Sequence, residues 1–177
     1  MPPRISWGWK IAEFFLIDRT QNRVTLLAHS ATTLPGPSSL PLSSSQGIVV
    51  HVARSGQGIY LPDVRKDPRY LPGALPNRSE LCLPLRAGEQ VIGVLNIESL
   101  KEDAFGPEEI RLAEALADVA AIALENARLF TEIQRAKEDL ARQVEERKKL
   151  FEQIVAAFSA SMSLKDPFTA KHQERVA

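Results

Sequence analysis

Apolar and polar positions follow two different periods along this chain, and the change falls near residue 106. Before it lie short segments punctuated by Gly and Pro; after it there is no Gly, and Pro occurs only at 107 and 167. Residues 11–17 (IAEFFLI) and 24–28 (VTLLA) predict two strands, joined by the polar turn DRTQNR. Residues 30–45, rich in Ser, Thr and Pro, read as a loop long enough to cover a site. From Gln46, the apolar positions Ile48, Val49, Val52 and Ala53 have helical spacing, and Gly56 stands where a left-handed helix stop costs least. GIYLPDV then predicts a short strand halted by Pro62, and a polar loop follows over residues 63–77. Residues 80–85 (ELCLPL) and 91–97 (VIGVLNI) predict two further strands around the hairpin turn RAGEQ. Strands grouped in hairpins predict an α+β class: an antiparallel sheet with flanking helices, plus a long C-terminal coiled-coil helix.

That last helix should begin at Gly106-Pro107-Glu108-Glu109, with Pro at the first helical position and two carboxylates at the positive end of the dipole. The pattern predicts a continuous helix over residues 107–163, stopped ahead of Asp166-Pro167. Its length would be about 85 Å at about 1.5 Å per residue. Alternate steps of four and three from Leu112 reach Leu116, Val119, Ala123, Asn126, Phe130, Ile133, Lys137, Leu140, Val144, Arg147, Phe151, Ile154 and Phe158. All but Asn126, Lys137 and Arg147 are apolar, which is the heptad period of a left-handed coiled coil. Over residues 110–124 the apolar face is broad, and the expectation is that it lies on the chain's own sheet. From about residue 130 the flanks are charged and only a narrow seam remains: Phe130, Ile133, Lys137, Leu140, Val144, Arg147, Phe151, Ile154 and Phe158. A second copy of the chain, in parallel, is the expected partner.

Composition narrows the function classes. The 177 residues hold 22 Lys plus Arg and 22 Asp plus Glu, so no charge excess argues for nucleic acid or an anionic membrane as partner. No apolar run approaches the length of a membrane span or a signal peptide. A single cysteine, Cys82, excludes an internal disulfide and fits a reducing cytoplasm.

Three segments, LSSSQGIVVHVARSGQGIYLPDVRKDPRY, SELCLPLRAGEQVIGVLNIES and AFGPEEIRLAEALADVAAIALENARLF, stand in an order and spacing that resemble a GAF domain over residues 10–130. The resemblance implies an antiparallel sheet with helices on both faces and a pocket covered by residues 43–77. It departs at the start, where MPPRISWGW offers no opening helix: either the chain is truncated or that face is covered differently. Residues 164–177, with DPFTAKHQERVA, resemble the beginning of an HD-GYP domain, a metal-dependent phosphodiesterase family acting on cyclic di-GMP. By that resemblance His172 matches a metal-ligating histidine of some members. The rest of such a ligand set is absent here, so no metal is expected in this chain.

No catalytic set emerges from the remaining residues. His29, His51 and His172 lie on different elements without ligand-spaced partners. Cys82 sits within a strand and reads either as a small buried hydrophobe or as a thiol that anchors or senses. In the loop VRKDPRYLPGALPNR, Arg65, Arg69 and Arg78 are positioned to converge on an anion, with Tyr70 as a stacking face; the alternative is a solvated loop. Gly47 reads as a backbone requirement at a helix start. No cofactor is identified. The expectation is a regulatory sensor that binds a small molecule or partner and signals through a dimeric helix to a C-terminal output domain, a cyclic di-GMP phosphodiesterase. The alternatives are the input region of a sensor histidine kinase, a free-methionine-sulfoxide reductase, and a domain used only for dimerisation.

Overall fold

The computed structural model describes residues 11–31, 36–73 and 75–164, with side chains to 161. Six strands form one sheet: β1 (Ile11–Asp18), β2 (Arg23–His29), β3 (Ser39–Pro41), β4 (Ile59–Leu61), β5 (Ser79–Ala87) and β6 (Gln90–Ser99). Their order is β3-β2-β1-β6-β5-β4, and every neighbouring pair is antiparallel. Helix α1 (Ile48–Ser55) follows β3, and α2 (Pro107–Leu164) follows β6. The predicted α+β antiparallel architecture is the observed one. Two small elements differ from expectation. The three-residue strand β3 lies inside the predicted loop, too short to show alternation and ending on Pro41 at the sheet's edge. A single 3-10 turn, Val64–Lys66, stands at the start of the polar stretch.

Period-2 alternation gives the sheet two dissimilar faces. On one, Leu81, Leu83 and Leu85 of β5 join Leu95 and Ile97 of β6 and pack against Ala113, Ala117 and Ala121 of α2. On the other, Phe15, Val24, Cys82 and Val94 pack against Ile48, Val49, Val50, Val52 and Ala53 of α1. Gly56 closes α1 in the left-handed conformation, its N–H donating to the Val52 carbonyl at 2.8 Å. The start of α2 is anchored from β4. The Tyr60 hydroxyl donates to Asp103 at 2.8 Å, and its ring meets Phe105 edge-on at 5.7 Å.

Two compact units divide the chain at residue 126. Within the first, α2 touches the sheet by its alanines, at i, i+4 and i+8, with Ile110, Ala120 and Leu124 beside them. This corrects the expected assignment of residues 110–124. Leu112, Leu116, Val119, Ile122 and Ala123 are exposed instead. The sheet supplies the bulk and the helix supplies small residues, so the helix approaches closely and its larger side chains are left on the other side. The exposed apolar row therefore begins at Leu112, not near Phe130. In the second unit every described side chain is exposed. The expected onset of an HD-GYP domain, including His172, lies outside the described residues from 165 onward.

Strand β6 crosses β1 at Gly93, where an added Cβ would stand 2.4 Å from the Phe15 carbonyl oxygen and 3.0 Å from Leu85. Gly93→Ala should therefore destabilise the fold by about 1–3 kcal/mol, the range for overpacking a core. Urea denaturation of the variant against the parent checks this, and an unchanged midpoint would contradict the packing described.

Candidate functional site

The α1 face carries acids where a core would carry hydrophobes. Glu13 of β1, Glu80 of β5 and Glu98 of β6 are all buried, together with Asn96 and Asn77. Register explains why they meet. Glu80 pairs directly with Glu98 across β5 and β6, and Glu13 pairs with Asn96 across β1 and β6. A bulge sets that register: Arg86 pairs with Val91, but Leu85 pairs with Gly93, so β6 advances two residues for one on β5. Without it, Glu80 would stand opposite Ile97 and turn to the other face.

The acids border a cavity of about 50 Å³. Its floor is Glu13, Phe15, Glu80, Asn96 and Glu98 on the sheet, and one wall is Ile48 and Val49 of α1. Its cover comes from two loops, with Gly36 and Pro37 from one and Tyr70, Leu71 and Gly73 from the other. The second loop is tied to the first residue before α1, since the Gly47 N–H donates to the Arg69 carbonyl at 2.7 Å. Gly47 has φ +99°, a conformation that side-chain-bearing residues rarely adopt, so the helix start does require glycine. The expected cover, residues 43–77, thus contributes part of the pocket, and the loop before β3 contributes the rest.

Hydrogen bonds satisfy the acids only in part. The Asn96 amide donates to Glu13 at 2.9 Å, and the Asn77 amide donates to Glu98 at 2.5 Å. Glu80 Oε2, Asn96 Oδ1 and Asn77 Oδ1 are buried without a partner. Among the described residues, no Lys or Arg forms an ion pair with any of the three glutamates. Burial raises all three carboxyl groups above their ordinary range. Glu98 is pushed up to about 7, with Glu13 adding to the effect, and Glu80 lies well above the usual value, with Glu98 and Glu13 adding. Tyr70 is pushed up to about 12 by burial and by Glu98 and Glu80.

The residues singled out from sequence fall in different places. Tyr70 lines the cavity. Arg65, Arg69 and Arg78 do not converge on a vacant anion site. Arg65 and Arg78 meet at the Glu102 carboxylate, whereas Arg69 binds Asp67. The loop holds two Asp-X-Arg units of the same geometry. Asp63 accepts from the Arg65 backbone N–H and guanidinium, and Asp67 accepts likewise from Arg69. These bonds hold the Asp63 carboxyl down to about 2 and lower Asp67. The sequence reading missed this self-pairing because it counted the arginines without their near neighbours. Cys82 is fully buried on the α1 face, outside the cavity lining, and burial, with Glu80, Glu13 and Glu98 adding, pushes its thiol well up, away from reactivity. His51 and His29 are exposed. Among the described residues, no group of three or more His, Cys, Asp or Glu is arranged to hold a metal ion. No helix of the described residues is long and apolar enough to cross a membrane.

The glutamates themselves were not among the residues singled out. One signal was available: in IAEFFLI, Glu13 alternates with Ile11, Phe15 and Ile17, an acid on an apolar face. Glu80 and Glu98 read as ordinary polar strand ends until the bulge is known.

Comparison with known proteins gives consistent matches. The profile described as GAF domain matches residues 4–125. The regulatory protein LuxO of Vibrio cholerae serotype O1 is 39% identical over 72 residues, 41% of this chain and 14% of that protein. The dual 3',5'-cyclic-AMP and -GMP phosphodiesterase 11A of Takifugu rubripes is 29% identical over 133 residues, 66% of this chain and 15% of that protein. The chain thus spans about a seventh of these relatives. Free methionine-R-sulfoxide reductase from Neisseria meningitidis, solved with its substrate, superposes with a TM-score of 0.62 at 23% identity, covering 70% of this chain and 71% of that one.

Raised carboxyl pKa values link the site to stability. A carboxyl held higher in the folded state than its ordinary value of 4.5 favours folding while both states are protonated, below that value. The contribution is lost as pH rises through the folded value, about 7 for Glu98. Stability should therefore fall as pH rises from about 4.5 to about 7, by up to about 1.4 kcal/mol per pH unit for each carboxyl that keeps its proton only in the folded state. Glu98→Gln should flatten that slope. Denaturant melts across the pH range test it; a variant slope equal to the parent's would contradict the assignment.

Proposed function

This chain belongs to the GAF domain family, and from that membership and the acid-lined cavity we propose that it is a regulatory sensor module whose ligand sits between the sheet and α1. The observation that carries this reading is the covered cavity with buried polar atoms left unpaired, since native cores leave few such atoms without a partner. Ligand occupancy is read at β5 and β6, because the same strands present Glu80 and Glu98 to the cavity and their leucines to α2. The output is a parallel homodimer of α2, with the apolar row from Leu112 through Phe158 as its seam. Support comes from the exposure of Leu112, Val119, Phe130, Ile133, Leu140, Val144, Phe151 and Phe158, which a monomer would leave in water. We take the C-terminal output domain to be a cyclic di-GMP phosphodiesterase of the HD-GYP type, on the resemblance of residues 164–177. The chain by itself is not an enzyme in this reading: its one cysteine is buried, and no ligand set for a catalytic metal accompanies His172. The free thiol supports a cytoplasmic setting.

Native mass spectrometry of the freshly purified chain tests both halves. The expected species is a dimer that carries, or takes up from a cell extract, a small molecule. Leu140→Lys should shift the population toward monomer, and Lys137→Leu with Arg147→Leu should shift it toward dimer and raise the melting temperature, because polar groups in a seam fix register at a cost in stability. A monomer at micromolar concentration would overturn the signalling helix; Leu140→Lys without effect would overturn the seam. Cyclic di-GMP incubated with the 177-residue chain and a divalent metal should remain intact, and turnover by the chain alone would contradict the non-enzymatic reading.

A further inference from the structure

Two polar atoms of the cavity lining, Glu80 Oε2 and Asn96 Oδ1, are buried oxygens without a hydrogen-bond partner, and Asn77 Oδ1, outside the lining, is a third. Their orientation is fixed by the other end of each group. The Asn96 nitrogen is committed to Glu13 and the Asn77 nitrogen to Glu98, so the free ends of both amides are carbonyls. Glu80 and Asn96 line the cavity, and Glu80 is 3% exposed. Glu13 and Glu98 line it as well, which brings three carboxyl groups to one space with no Lys or Arg among the described residues ion-paired to them; His29, opposite Glu13 on β2, acts on that carboxyl from outside the lining. Tyr70 and Phe15 add aromatic surface to the lining.

We propose that this pocket binds an organic ammonium group, with Glu80, Glu98 and Asn96 accepting its N–H bonds and Tyr70 beside it as an aromatic wall. The proposal rests on reading the cavity as the sensor's ligand site and names the chemistry of the ligand. An ammonium has three donors and no acceptor, which matches a lining whose unmet need is for donors. Aromatic faces attract such cations further. A neutral ligand would bring fewer donors to the unpaired oxygens, and an anionic one would be repelled by any carboxyl that ionised. A metal ion fits less well, because the acids are not arranged as a coordination group. The cavity's size sets the scale: about 50 Å³ admits a group of a few heavy atoms with the cover closed. A larger amine enters by its ammonium end and requires the two cover loops to part. Binding converts neutral carboxyl groups to carboxylates, so protons leave as the ammonium enters, and the cation offsets the cost of the new buried charge.

Methylammonium chloride is the smallest probe, with sodium chloride at equal ionic strength and acetamide as the neutral comparison. Calorimetry in two buffers of different ionisation enthalpy reads affinity and proton release together. Saturable binding of methylammonium with proton release, absent for sodium and acetamide, is the expected result. Glu80→Gln keeps the shape and an acceptor but removes the charge; it should fold with an unchanged circular dichroism spectrum and bind about tenfold or more weakly. Equal binding by the variant, preference for acetamide, or silence from methylammonium would each overturn the ammonium assignment. Those failures are distinct from failure of the sensor reading, which falls only if the native chain neither retains nor takes up any small molecule.

Discussion

Three carboxyl groups facing one way from adjacent strands are the constraint around which this domain is arranged. Alternation along β1, β5 and β6 sends Glu13, Glu80 and Glu98 to the α1 face, while the same strands send Leu81, Leu83, Leu85, Leu95 and Ile97 to α2. The apolar face is closed by close approach of the α2 alanines to the leucines of β5 and β6. The acidic face is closed loosely, by a two-turn helix and two loops, over groups that burial leaves short of partners. Both faces carry an apolar core, but the buried carboxyl groups lie on the α1 side alone.

The cover is itself held by electrostatics, kept separate from the acids beneath it. Each Asp-X-Arg unit closes on its own carboxylate, so Arg65 and Arg69 are consumed in shaping the loop and do not reach down to neutralise Glu80 or Glu98. Had either arginine turned inward, the cavity would hold a finished ion pair and no ligand would be needed. The anchoring bond from Gly47 to Arg69 joins this loop to the start of α1, so cover and wall are one connected piece.

Five of the six strands, both helices and the left-handed stop at Gly56 were legible from period and punctuation, because each rests on local pattern; the three-residue β3 was too short to show one. The row along α2 was legible too, but its beginning was not. Leu112 to Ala123 offered two apolar stripes, one of alanines and one of larger residues, and sequence favours the larger for the core. The fold chose the smaller, because the sheet already carries the volume. The site was largely illegible. Its assembly depends on one bulge near Gly93, and a one-residue difference in register would have pointed Glu80 at α2. The arginines drew attention through their charge, yet short-range pairing removes them from any ligand.

The central claim is that Glu13, Glu80 and Glu98 share one poorly hydrated space, with no Lys or Arg among the described residues ion-paired to them. Side-chain carboxyl carbon shifts of the glutamates, followed by NMR from pH 3 to pH 9 in the unliganded chain, read it directly. Glu98 should titrate near 7, Glu80 should remain protonated well above the ordinary glutamate value of 4.5, and Glu13 should also titrate above it. Titration of all three near the ordinary value of 4.5 would contradict the account, since carboxyl groups that ionise so easily are either in water or already paired.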